Sequence, residues 1–128
     1  MTWLSILLVI KIAVTAPLAA APFLVFSTEK LGKLTRMEAA SGLFFRLYGV
    51  AMVAILSAYG FGIATAQSGE FPWFATVMGV LSNGGAVIAL GTSGVLARMA
   101  PVAGFLTLVT AGLIAAMAFP IAALGSAF

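Results

Sequence analysis

The chain has 128 residues, 63% of them hydrophobic and 7% charged, against about a quarter charged in an ordinary soluble domain. A soluble chain this short still exposes roughly a third of its unfolded surface, so this apolar excess has no interior to fill, and a water-soluble fold is excluded. Six basic residues against three acids leave a net charge of +3, but they are scattered between long apolar spans, which excludes a nucleic-acid binder and marks them as topology signals.

A helix rising ~1.5 Å per residue needs about 20 apolar residues to cross a ~30 Å hydrocarbon core, and four stretches are long enough. The first runs from Trp3 to Phe26, interrupted by Lys11, Pro17 and Pro22. Within it Leu18-Ala19-Ala20-Ala21 resembles a signal-peptidase site. No basic residue precedes the apolar run, however, and Lys11 interrupts it, so the segment is read as a retained helix.

The connection Ser27 to Ser41 follows. Here Glu29, Lys30, Lys33, Arg36 and Glu38 alternate with Leu31, Leu34 and Met37 at helical spacing. Two readings stand: a short helix on the membrane surface, drawn to anionic lipid, and a solvated loop that fixes topology. The second span covers Gly42 to Ala66, the third Pro72 to Leu96 and the fourth Pro101 to Leu124, joined by Gln67 to Phe71 and Ala97 to Ala100. Connections this short make neighbours antiparallel. The expected fold is all-α, a single transmembrane domain over 1–128 built as an up-down-up-down four-helix bundle.

Orientation follows from the basic residues. Lys30, Lys33 and Arg36 lie in the first loop, with Arg46 just inside the second span, and Arg98 lies in the third loop. The second loop carries Glu70 instead. Loops one and three are therefore expected in the cytoplasm and both termini outside it, in a multi-pass protein of the bacterial inner membrane. Trp3 and Trp73 then fall at the outer edges of spans one and three, where indole rings favour the headgroup region.

Membrane helices associate where small residues allow close backbone approach. Ala54, Ala58, Gly62 and Ala66 form such a stripe on the second span, Ala75 and Gly79 on the third, and Gly112 and Ala116 on the fourth. These mark helix contacts, either within the chain or across a homodimer seam.

Polar residues inside the spans bear most on function, because a charge near the bilayer centre costs at least ~2.5 kcal/mol. Lys11 lies about 12 Å below Trp3 by helix rise. Tyr59, Ser82, Asn83, Thr15 and Thr110 fall at nearby depths. If Lys11 faces inward, Tyr59 and Asn83 are its expected acceptors, forming a polar pocket in the outer half of the bundle. The competing reading is a snorkelling lysine beside unrelated packing residues. Arg46, near the start of the second span, is expected to snorkel to headgroups, or to pair with Thr92, Ser93 or a lipid phosphate.

The segment Leu43-Phe44-Phe45-Arg46-Leu47-Tyr48-Gly49, followed by Tyr59-Gly60-Phe61-Gly62, resembles the second helix of small four-helix bacterial inner-membrane proteins. It is also more distantly similar to the DoxX-like group. That resemblance implies a four-helix plan and an accessory role in quinone-linked electron transfer.

Three classes of function follow. The first is a structural or accessory subunit of a membrane assembly, as a homo-oligomer or with a membrane-protein partner. It is favoured because Glu29, Glu38 and Glu70 all fall in loops and no nucleophile has a base beside it, which argues against an enzyme. Cysteine and histidine are absent, which removes disulfides, thiol chemistry and the usual haem ligand and proton shuttle. No metal or cofactor is expected, and lipid is the expected surrounding partner. The second class is a small transporter. Without an intramembrane carboxylate, proton coupling would fall to Lys11, and an anion or lipid headgroup is the cargo that fits. The third is a membrane enzyme or quinone-binding redox subunit in which Lys11, Tyr59 and Asn83 hydrogen-bond a quinone-like carbonyl.

Overall fold

A computed structural model describes residues 1–35 and 42–128. Arg36, Met37 and Glu38, part of the expected amphipathic segment, lie outside the described residues. Among the described residues four helical stretches are long and apolar enough to cross a membrane: 3–25, 42–67, 73–92 and 100–118. The protein is a multi-pass helical membrane protein. Helices suit this solvent because each backbone N–H and C=O finds its partner within the segment.

The first span is composite. Helix α1 (Trp3–Thr15) passes into a π-helical turn at Ala16–Ala20 and then into α2 (Ala21–Val25). Two prolines account for the change. Pro17 has no N–H for the carbonyl of Ala13, and Pro22 has none for that of Leu18. Between them the ladder widens, and Ala21 N–H bonds the carbonyl of Ala16, five residues back. Thr2 caps the start of α1 by accepting from Ser5 N at 3.1 Å.

Helix α3 (Thr28–Thr35) follows. Its Leu31 is buried, while Leu34 is exposed, and Glu29 and Lys33 form an exposed ion pair at 3.0 Å. The described part of the first connection is therefore helical.

Helix α4 (Gly42–Gln67) ends in a tight cap. Gly69 adopts φ +90°, its N–H bonds the carbonyl of Ala66, and Glu70 N–H bonds that of Thr65. This is the Schellman arrangement, which needs a left-handed residue and so favours glycine. Helix α5 (Trp73–Thr92) stops four residues before the expected Leu96. Gly94, with φ +74°, turns the chain there although the sequence stays apolar through Val95 and Leu96. Helix α6 (Ala100–Ala118) breaks at Phe119, because Pro120 bars the preceding residue from helical geometry. A single turn, α7 (Pro120–Ala123), follows, and residues 124–128 beyond it are non-helical.

The chain ends meet. Thr2 and Ser126 form an isolated antiparallel bridge, with Trp3 N–H donating to Gly125 O at 3.3 Å and Ala127 N–H to Met1 O at 3.0 Å. The packed centre holds Leu4 and Leu8 of α1, Tyr59 of α4, and Val109, Leu113 and Ala116 of α6, with Ala123 of α7. Small residues set the helix spacing. A Cβ on Gly62 would lie 2.8 Å from the Cβ of Ala75, and one on Gly79 would lie 2.6 Å from Leu113 Cδ1. Of the expected stripe on the second span, Gly62 and Ala66 are buried, Ala58 is half-buried and Ala54 is exposed.

Candidate functional site

Tyr59 is the largest fully buried side chain. Its ring passes beneath α5 at Gly79, where an added Cβ would lie 2.9 Å from the phenolic oxygen and 3.1 Å from Cε1. One turn further along α5, Asn83 Nδ2 donates to Tyr59 Oη at 2.9 Å and to the carbonyl of Gly79 at 2.7 Å. One amide thus ties α4 to α5 and also braces the turn of α5 against which Tyr59 rests. In a medium without water these bonds have few competitors.

Lys11 is 3% exposed, so it lies within the bundle. It makes no hydrogen bond among the described residues. Its Nζ lies 5.2 Å from the centroid of the Phe105 ring on α6, within range of a cation–π attraction. Of the three residues read as a pocket, Tyr59 and Asn83 are brought into direct contact, and Lys11 is bonded to neither. Phe105 was not legible as its partner, since an aromatic in an apolar span carries no local mark of a cation beside it.

Arg46 serves the first span. Its guanidinium donates to the carbonyls of Phe23 at 2.9 Å and Phe26 at 2.7 Å. These carbonyls lie where α2 ends and the intrahelical ladder has run out of donors. A cation there also meets the negative end of the helix dipole. The expected pairing with Thr92 or Ser93 does not form. Thr92 donates to Ile88 and Ala89 carbonyls, and Ser93 to that of Leu90.

The neighbours of Arg46 explain why it reaches. Gly49, one turn along, lets α4 approach the first span so closely that a Cβ would lie 2.8 Å from Leu24 Cδ2 and 3.2 Å from the backbone of Phe23. The rings of Phe23 and Tyr48 meet edge-on at 4.9 Å, and Phe23 packs at 5.8 Å on Phe45. The Arg46-Leu47-Tyr48-Gly49 run is thus a docking element between spans one and two. Arg46 caps, Tyr48 packs, Gly49 admits the backbone, and Leu47 faces outward.

No family model matches the chain, and no curated protein or solved structure matches it. The Arg-Leu-Tyr-Gly run therefore stands on its local geometry.

Among the described residues no three acidic, histidine or cysteine side chains gather as metal ligands would. The second connection carries Glu70 on an exposed turn.

Arg46→Gln should lower the unfolding free energy by about 1–3 kcal/mol, the usual loss for hydrogen bonds to a charged group. Arg46→Lys should recover only part of it, because an ammonium lacks the fork that spans two carbonyls. Unfolding followed by helix signal in mixed micelles checks both. Equal stability of wild type and Arg46→Gln would show that the cap contributes nothing.

Proposed function

We propose that the protein is a structural or accessory subunit of a membrane assembly, held in the bacterial inner membrane as an up-down-up-down bundle with both termini outside the cytoplasm. The observation that carries this reading is the use made of the polar groups inside the spans. Asn83 and Tyr59 bond each other, Thr76 bonds the carbonyls of Pro72 and Trp73, and Arg46 caps a neighbouring helix. The Asn83–Tyr59 and Arg46 bonds join neighbouring helices, the Thr76 bonds brace the start of its own helix, and none of these groups stands as a nucleophile beside a base.

The outer faces support the same reading. About a third of an apolar 18-residue stretch of the first span, and 22% of such a stretch in each of the others, is buried within the chain. Gly60 on α4, Gly85 on α5 and Gly104 on α6 have no neighbour within 4 Å of a would-be Cβ. Glycines on open faces suit close packing against another helix, because lipid alone gives no reason for a small residue there.

Charge supports the orientation. Lys30, Lys33, Arg36 and Arg98 belong to the first and third connections, with Arg46 just inside the second span, whereas the second connection carries Glu70. Trp3 and Trp73, both more than half exposed, open α1 and α5.

A second reading, a small transporter or a lipid- or quinone-binding protein, is favoured by one observation: Lys11 is buried without a hydrogen-bonding partner.

Native mass spectrometry of the chain released from nanodiscs should show a defined homo-oligomer or a stoichiometric complex with a second membrane protein. A bare monomer at all loadings would overturn the accessory reading. The chain lacks cysteine, so orientation is read by single substitutions. An impermeant maleimide applied outside intact inner membrane should label Glu70→Cys poorly shielded at the second loop and leave Lys33→Cys unlabelled. The reverse pattern would invert the topology.

A further inference from the structure

The inward face of α1 carries Leu4, Leu8, Lys11 and Thr15, the three- and four-residue spacing of a stripe packed against neighbouring helices. Its first polar member, Ser5, is satisfied by Thr2, with the two hydroxyls 2.8 Å apart. The two deeper ones are not. Lys11 is 3% exposed and Thr15 is 5% exposed, and neither side chain has a hydrogen bond among the described residues. They lie four residues apart and so point from adjacent turns of one face.

Neither polar atom is sealed in. Among the described residues no side-chain nitrogen or oxygen that is fully cut off lacks a partner, so Lys11 Nζ and Thr15 Oγ1 each keep some surface that another oxygen atom can touch. Among the described residues the ammonium meets the Phe105 ring. An aromatic face attracts the charge but leaves the three N–H donors without a strong acceptor. The described acids, Glu29 and Glu70, lie outside the four spans, so no carboxylate of the described chain compensates this cation.

We infer that Lys11 and Thr15 form a binding site for one oxyanion, a carboxylate or a phosphate. An ammonium and a hydroxyl on adjacent turns supply a charged donor and a neutral one to the same acceptor. In a low-dielectric interior an uncompensated cation favours an anion over a neutral carbonyl. The surroundings of the site are apolar, with Leu8 one turn above and Phe105 across from it, which suits the head of an amphiphile as well as a free ion. The inference extends the second reading above. It does not bear on whether the chain assembles with others, so oligomer measurements and anion measurements fail independently.

Lysines occur only at positions 11, 30 and 33. In the variant Lys30→Gln with Lys33→Gln, the Nζ signal of ¹⁵N-labelled lysine reports Lys11 alone. In maltoside micelles, which carry no oxyanion, that signal should shift and saturate at one equivalent of at least one of three probes: palmitate, phosphatidylglycerol or inorganic phosphate. The responding probe separates a fatty-acid carboxylate, a lipid headgroup and a free ion. In native mass spectra the corresponding one-to-one adduct should fall at least tenfold in Lys11→Met and about threefold in Thr15→Val, and stay unchanged in Lys33→Gln. An Nζ signal that none of the three probes moves would overturn the site, as would an adduct retained in full by folded Lys11→Met. If Lys11→Met does not fold, the Nζ titration decides the matter.

Discussion

Asn83 donates from one amide nitrogen to Tyr59 on α4 and to the backbone of Gly79 on its own helix, and the packing of the other spans is arranged around this knot. Tyr59 can lie there only because Gly79 offers no side chain. The same absence admits Leu113 from α6. Leu4 and Leu8 of α1 close the cluster from the remaining side. One small residue therefore lets three helices converge, and the Asn83 amide, with Ser82 also beside the phenol, keeps Tyr59 from being buried unsatisfied, which would be costly in hydrocarbon.

The pairing of spans one and two solves a related problem by different means. Proline twice interrupts the first span, and α2 ends at Val25, leaving carbonyls that water would serve in a soluble protein. Arg46 supplies the donors from the neighbouring helix. Gly49 brings the two backbones close enough for it to do so. A cation near a membrane boundary thus stabilises a helix end by both hydrogen bonding and charge. The contrast with Lys11 is instructive: one cation has been given backbone acceptors, and the other has been left with an aromatic face.

Much of the fold was legible because lipid imposes simple rules. Span length, apolar content and short connections located the four helices, and the small residues at Gly62, Ala75 and Gly79 marked contacts that the packing uses. The ends were harder to place. Nothing in Val95-Leu96 announces that α5 has already stopped, since the stop comes from Gly94 adopting a left-handed conformation. The candidate site was legible in part. The shared depth of Lys11, Tyr59 and Asn83 could be counted along the spans, but depth along a helix does not give rotation about it, so an inward and a snorkelling Lys11 stood side by side. Depth alone could not show that Asn83 bonds Tyr59 while Lys11 turns to Phe105. Arg46 was read through the chemistry of its side chain, whereas its partners are backbone carbonyls, which every residue carries and no sequence pattern distinguishes.

The most direct test of this account is a double-mutant cycle on Tyr59→Phe and Asn83→Leu, read as unfolding free energy in bicelles. Interhelical hydrogen bonds in membranes couple by about 0.6 kcal/mol on average and up to ~1.7, and a bond that organises three helices should fall toward the upper end. Substitutions whose effects add, with coupling below about 0.3 kcal/mol, would show that the helices converge on Gly79 for reasons of shape alone and that the amide knot does not hold the bundle together.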